Sequence, residues 1–501
     1  MSALRILPAI LLALSSCTLL FSSSSAEPDA AVISDANVAP ALDAADIPYS
    51  LRPVWQTNTG ATGQIGVGPD GILAFAGHFH ENISVEGNPF SSSGSLDLLL
   101  LHLDPKTGKL LQAKQFGTSA TEYVTSLSVS DNNDLVVAGA VTGAGASVGG
   151  IAINSTISNV GTGFFARYDQ VLAHTWSLFA VSSVDNSTVS GISAEAGSVH
   201  VCGGYAGELT LAEQGNGNNT VLPGLSKLTA YYGNYNADGT FAGNGPIAIT
   251  GQGLERCTVV VDDGVLSAYI AGFYTETIDF SATLNFDPDA GLPRAPPTTY
   301  NYFVGRIKHN TSMSWVLSIP GNTKQFPVMH GAKGKDSQLV LVTEMNGDVL
   351  VPDLNITLSA PFNDGDVALF IIAPADGEIL VARSFPSLGP DRVSDVAVGP
   401  NGEVAIVGGF TGTINFGGGE LQAKGQIDSF VAIFNAQGQH LWSQSYGTSG
   451  TDQATSVAFD NDGALFLSVR HQNGIDFGLG PVAGTDTGTV IKYEAVGSPG
   501  E

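Results

Sequence analysis

Val407-Gly408-Gly409-Phe410-Thr411-Gly412-Thr413-Ile414-Asn415-Phe416-Gly417, running on to Asp428-Ser429-Phe430-Val431-Ala432, is the stretch from which the rest of the chain can be read. Its first part is an apolar strand ending in small-Gly-x-aromatic. The ending recurs at Phe75-Ala76-Gly77-His78-Phe79, Val137-Ala138-Gly139, Val201-Cys202-Gly203-Gly204-Tyr205 and Ile270-Ala271-Gly272-Phe273-Tyr274, with degenerate copies at Thr343 and Ser468. Its second part, an apolar strand opening on a polar or small residue, recurs at Asp97, Thr162, Thr229, Asn301, Asp366 and Thr487. Both ladders count seven, and both step by roughly 59 to 72 residues. A fixed repeat of that length points to one repeat architecture rather than to several unrelated domains.

Four strands can be read in each unit. The clearest copy runs Thr455 to Phe459, turns at Asp460-Asn461-Asp462-Gly463, and returns over Ala464 to Val469. Glycine and short acids between β-type runs mark a hairpin, because they tolerate the backbone the turn requires. The second ladder supplies a third strand, and a fourth follows another turn, as in Gln437-Gly438-Gln439 before His440 to Tyr446. Four strands per repeat is a propeller blade, so the expected fold is all-β, a seven-bladed β-propeller of four-stranded antiparallel blades. Trp55, Trp176, Trp315 and Trp442 all fall on fourth strands, yet Trp55 precedes any complete unit and the last unit stops after its third strand near Tyr493. Leu51 to Thr57 is therefore expected to supply the outer strand of the last blade, which removes an exposed sheet edge and ties the ends of the ring together.

The repeat resembles the bacterial β-propeller repeat family of secreted and surface proteins. The resemblance is best in the sixth and seventh units, on the stretch quoted above together with Leu441-Trp442 and Tyr446-Gly447. It extends from about Leu51 to Glu494. It implies fold and export, and carries no catalytic residue over, because one fold hosts many activities.

Composition narrows the function classes. The formal charge is −27, with 19 Lys plus Arg against 46 Asp plus Glu. No basic stripe is left to neutralise phosphates, which excludes nucleic acid as an expected partner. Residues 1–26 read as a signal peptide: a charged start, an apolar run over Ile6 to Phe21, and small residues to Ala26. Two cleavage readings stay open. Leu14-Ser15-Ser16-Cys17 resembles a lipobox that would lipidate Cys17, and Ser24-x-Ala26 resembles an ordinary signal-peptidase site. Residues 27–50 read as an acidic spacer, 51–494 as the propeller and 495–501 as a tail. The expected location is extracytoplasmic, secreted or lipid-anchored, with a membrane engaged only through that anchor; a monomer is expected.

Candidate site residues are few. His78 and His80 alternate along a strand, so they share a face and could ligate a metal with Glu81 beyond them; the plain alternative is a polar strand end. Asp460-Asn461-Asp462-Gly463, Asp131-Asn132-Asn133-Asp134 and Asp262-Asp263-Gly264 suggest calcium, but each sits at the same hairpin of its unit, where turn chemistry accounts for it. Cys202 and Cys257 either pair, closing a loop of about 55 residues worth about 4 kcal/mol in the chain-entropy model, or are two buried thiols. Asp104-Pro105-Lys106-Thr107-Gly108-Lys109 resembles a turn of pyrroloquinoline-quinone propellers but occurs once. Gly331-Ala332-Lys333-Gly334-Lys335-Asp336 has the wrong spacing for a phosphate loop. No catalytic residue and no cofactor is expected from these motifs.

Loop length is the remaining signal. The connections Glu208 to Ser226 and Asp279 to Thr299 are longer than their equivalents in other units, and adjacent blades send equivalent connections to one rim. The expected function is a non-enzymatic surface or secreted binding module for a protein or glycan. The alternative is a hydrolase or lyase with an acidic site in the central channel.

Overall fold

The computed structural model describes residues 49–496 apart from short stretches, the longest being 153–160, 281–291 and 293–298. The signal peptide, Cys17 and nearly all of the acidic spacer lie outside the described residues, as do 497–501.

The described residues form a seven-bladed propeller of four-stranded antiparallel blades, and the strand order inside the first six blades follows the chain. The innermost strands are Thr62–Val67, Thr121–Val129, Thr188–Glu195, Glu255–Asp262, Met329–Lys333, Arg392–Val398 and Gln453–Phe459. Each touches the innermost strand of the next blade, and the seventh returns to the first. The second strands carry the glycine ladder and the third strands carry the second ladder, as the sequence indicates.

In the seventh blade the order runs Gln453–Phe459, Leu465–His471, Thr487–Ala495 and finally Leu51–Asn58. Trp55 pairs with Lys492, and Leu51 with Ala495. The closing strand therefore sits where the orphaned Trp55 and the truncated last unit require it.

Because side chains alternate across a strand, successive residues of a second strand enter the two interfaces on either side of the blade. Leu73 and Phe75 pack toward the seventh blade with Phe466 and Val490, while Ala74 and Ala76 pack toward the second with Val137 and Phe164. The same division gives seven apolar clusters among the described residues, one at each blade interface, including that between the seventh and the first. Burial on both faces is why these strands read as continuous apolar runs rather than alternating ones.

The glycine ladder has a steric cause. Five innermost strands carry a β-bulge after their second, third or fourth residue, at Thr125, Ser190, Thr258, Ser394 and Thr455. Beside the bulge the backbone of the second strand comes so close that a Cβ at Gly139, Gly203, Gly272 or Gly408 would fall inside the carbonyl oxygen of Tyr123, Thr188, Arg256 or Arg392. The fifth blade has no bulge, and there Thr343 replaces the glycine.

The tryptophans form a repeated clasp. Trp55, Trp176 and Trp315 each donate the indole N–H, at 3.0 Å, to a turn carbonyl of the following blade: Pro105, Ala237 and Pro374 respectively. Arg167 and Arg306 donate to the same Ala237 and Pro374 carbonyls and are held in turn by Asp134 and Asp263. Trp442 packs instead against Tyr493, because the seventh blade has chain ends where the other blades have that turn.

Candidate central-channel site

The seven innermost strands enclose a cavity of about 680 Å³. That volume falls within the usual range for small-molecule sites. The bulges put the hydroxyl residues Thr125, Ser190 and Thr258 into its wall, and the matching bulge residues of the sixth and seventh blades are Ser394 and Thr455. Most of these groups tie one blade to the next. Thr125 donates to the Val189 carbonyl at 2.7 Å, and Thr455 to that of Gly63 at 2.8 Å. Ser394, the fifth bulge residue, accepts from Gln453 at 3.0 Å.

Ser190 makes the equivalent contact with a charged group. It accepts from Arg256 Nε and Nη2 at 3.2 and 3.0 Å. Arg256 lies on the fourth innermost strand opposite Phe273, half-buried in the channel wall, and no carboxylate among the described residues pairs with it. Burial draws its pKa below the ordinary guanidinium value, yet an arginine stays charged in proteins.

Two acidic groups face the cavity, and both are engaged. Asp395 accepts from Ser456 Oγ at 2.6 Å and from the Val457 and Val396 amides at 3.0 and 2.8 Å. Burial raises its pKa to about 6 despite those bonds. Glu195, at the end of the third innermost strand, receives Lys333 Nζ at 2.5 and 2.6 Å from the fifth blade, reaching past the fourth. This ion pair bridges the channel at the end where the first and second strands turn. His330 lies in the wall with its Nε2 buried and without a partner, and burial lowers its pKa to about 4.

The two ends of the ring therefore differ. Glu195 and Lys333 mark one. Arg256 marks the other, since its partner Phe273 is followed directly by the connection that begins the long 279–299 segment.

The sequence candidates fall elsewhere. The second strand carries His78 but ends at Phe79, so His80 lies beyond it, and Glu81 turns the chain with φ +61°. His78 faces Tyr123, its pKa lowered to about 4 by burial and the nearby Arg470, whereas His80 is exposed and 4.0 Å from Asp486. Among the described residues no cluster of three or more His, Cys, Asp or Glu side chains is placed to hold a metal ion. The acidic turns serve the chain itself. Asp460 accepts the Asp462 and Ala464 amides, Asp134 holds Arg167, and Asp262 holds both the Gly264 amide and His200. Asp104 accepts the Lys106 and Thr107 amides, and the same turn offers the Pro105 carbonyl to Trp55.

Cys202 and Cys257 lie together in the cluster between the third and fourth blades, both as buried thiols. Burial, with Cys257 alongside, raises the Cys202 pKa well above the ordinary thiol value.

The Glu208–Ser226 connection is not simply a rim loop. It folds as the strands Leu209–Ala212 and Asn219–Leu222, and the first of these pairs with the outer strand of the preceding blade, Ala180 opposite Leu211. The 279–299 connection starts the same way, with Asp279 opposite Thr250, and most of the rest lies outside the described residues.

Sequence reasoning missed Arg256 and the hydroxyl ring. A signal was present: a Ser or Thr three places after a loop-capping acid, in Glu122-x-x-Thr125, Glu255-x-x-Thr258, Asp391-x-x-Ser394 and Asp452-x-x-Thr455.

No protein-family model matches the chain. The regulatory protein FlaEY of Caulobacter vibrioides is 30% identical over 129 residues, a stretch that makes up 25% of this chain and 13% of that protein. Among solved structures, the quinohemoprotein alcohol dehydrogenase of Comamonas testosteroni aligns with 12% identity over 88% of this chain and 76% of its own, at a TM-score of 0.33. A gluconolactonase of Xanthomonas campestris aligns with 14% identity over 75% of this chain and 90% of its own, at a TM-score of 0.28. Similarity at these levels carries no activity across, and the fold assignment rests on this chain's own strand pairing.

Proposed function

We propose that this chain is an exported binding propeller of the bacterial repeat type, taking a protein or glycan ligand at the end of the ring that bears the 208–226 and 279–299 connections. The observation that supports binding over hydrolysis or elimination is the state of the channel acids. Glu195 is neutralised by Lys333, and Asp395 is held by one hydroxyl and two amides. A glycosidase-type site needs two carboxyl groups flanking the substrate, one acting as an acid and the other as a base or nucleophile. Rigid blades with variable connections also suit recognition.

The test uses the mature protein on glycan arrays and in capture from defined protein pools, beside a variant with 213–218 and 281–298 replaced by short Gly-Ser linkers. The reading expects a saturable ligand that the variant loses. Unchanged binding by the variant would overturn the location. Turnover of a glycoside or lactone substrate that disappears in Asp395→Asn would overturn the non-enzymatic reading.

A further inference from the structure

Every other described arginine either pairs with an acid or, as Arg383 and Arg392 do, lies exposed to water. Arg52 pairs with Glu494, Arg167 with Asp134, Arg306 with Asp263 and Arg470 with Asp486. Arg256 stands apart, bonded to a neutral hydroxyl in a cavity wall, in a protein with 46 acids available to pair with it. A charge removed from water without a counter-charge is costly, and the cost is recovered when an anion arrives.

Its surroundings, among the described residues, are suited to a hydroxylated anion. Ser190 touches the guanidinium, Thr258 follows two residues along the same strand with a hydroxyl that has no partner, and His330 of the next blade has a ring nitrogen in the same condition. Among the described residues, the only acid facing the same cavity with no basic partner, Asp395, is on the sixth blade and bonded toward the seventh.

We propose that the loop-bearing half of the channel is a binding site for a small hydroxylated organic acid of sugar-acid size, with the ligand carboxylate on the Arg256 guanidinium and its hydroxyls among Ser190, Thr258 and His330. A guanidinium offers a planar fork that matches a carboxylate, so two parallel hydrogen bonds set the orientation of the ligand. This site lies within the ring, separate from the connections 208–226 and 279–299, and it stands or falls independently of them.

The seventh blade supplies the control. Gln453 holds the position of Arg256 and makes the same bond to its neighbour's bulge hydroxyl, so Arg256→Gln keeps the tie between blades while removing the charge. Calorimetric titration of the full mature protein with glucuronate, glucose and sodium sulfate tests the proposal, with thermal unfolding confirming that the variant folds. Glucuronate is expected to bind saturably and glucose not at all. Arg256→Gln should weaken glucuronate by about 10- to 100-fold, the usual effect of losing a charge-assisted pair, and Arg256→Lys should recover only part of it. No saturable glucuronate binding up to about 10 mM, an equal affinity in Arg256→Gln, or binding of sulfate alone would each overturn the proposal.

Discussion

Replacing each tryptophan with phenylalanine, one at a time, gives four perturbations of one chemistry in four known surroundings. The change removes an indole N–H donor and part of a buried ring. Lost packing costs about 1 to 2 kcal/mol where the ring is buried. An orphaned buried carbonyl costs a further 1 to 3 kcal/mol or so. At Trp176 and Trp315 the second term is small, because Arg167 and Arg306 still donate to the same carbonyls. At Trp55 no arginine shares the Pro105 carbonyl: the matching third-strand position is Lys492, which lies over Phe466 and pairs with Glu494. Trp442 has no turn carbonyl to lose and is only half-buried. The expected costs are therefore about 2 to 4 kcal/mol for W55F, about 1 to 2 for W176F and W315F, and under about 1 for W442F. Urea unfolding followed by circular dichroism reads the order. A W442F variant as costly as W55F would refute the clasp reasoning.

Stability should depend on pH in two limbs. Burial raises Glu255 to about 8 and Glu344 to about 7, so the folded chain holds their protons more tightly than the unfolded chain and gains stability as pH falls from 8.5 toward 6.5. His78, His330 and His471, lowered to about 4, are protonated first in the unfolded chain and oppose that gain below about pH 6.5, where Asp395, raised to about 6, joins the two glutamates and leaves the sum nearly level. The thermal midpoint should rise as pH falls from 8.5 to about 6.5 and level off below that, and Glu255→Gln should flatten the alkaline limb; a midpoint that climbs steadily to pH 8.5 would contradict the carboxyl assignments. Cys202 and Cys257 should resist iodoacetamide in the native protein and take up two labels after unfolding without reductant, as mass spectrometry would show; no labelling under those conditions would mean they are paired. Gly447→Ala would drive a Cβ into the Asp428 carboxylate, which accepts the Lys424 and Gly425 amides, and should cost on the order of 3 kcal/mol by chemical denaturation; an unchanged midpoint would show that this loop yields freely.

The blade count and the ring closure were legible because they depend on period and on local strand chemistry. The glycine ladder reports a steric conflict repeated at the same place in four blades, and the orphaned Trp55 reports a missing partner. Arg256 was not legible, because its meaning lies in the absence of a carboxylate among neighbours contributed by other blades. The His78–His80 alternation is cut short for a local reason: the strand stops at Phe79, and Glu81 takes a left-handed conformation. The long connection after Tyr205 was legible as an insertion, but its pairing with the outer strand of the preceding blade required register across a blade boundary.

The account depends first on the seventh blade being completed by Leu51–Asn58. Hydrogen exchange read by mass spectrometry on peptides covering 51–58 and 487–495 tests that pairing directly. Both segments should exchange as slowly as the second strands of the blades and be released together on unfolding. Rapid exchange over 51–58 while 487–495 stays protected would contradict it.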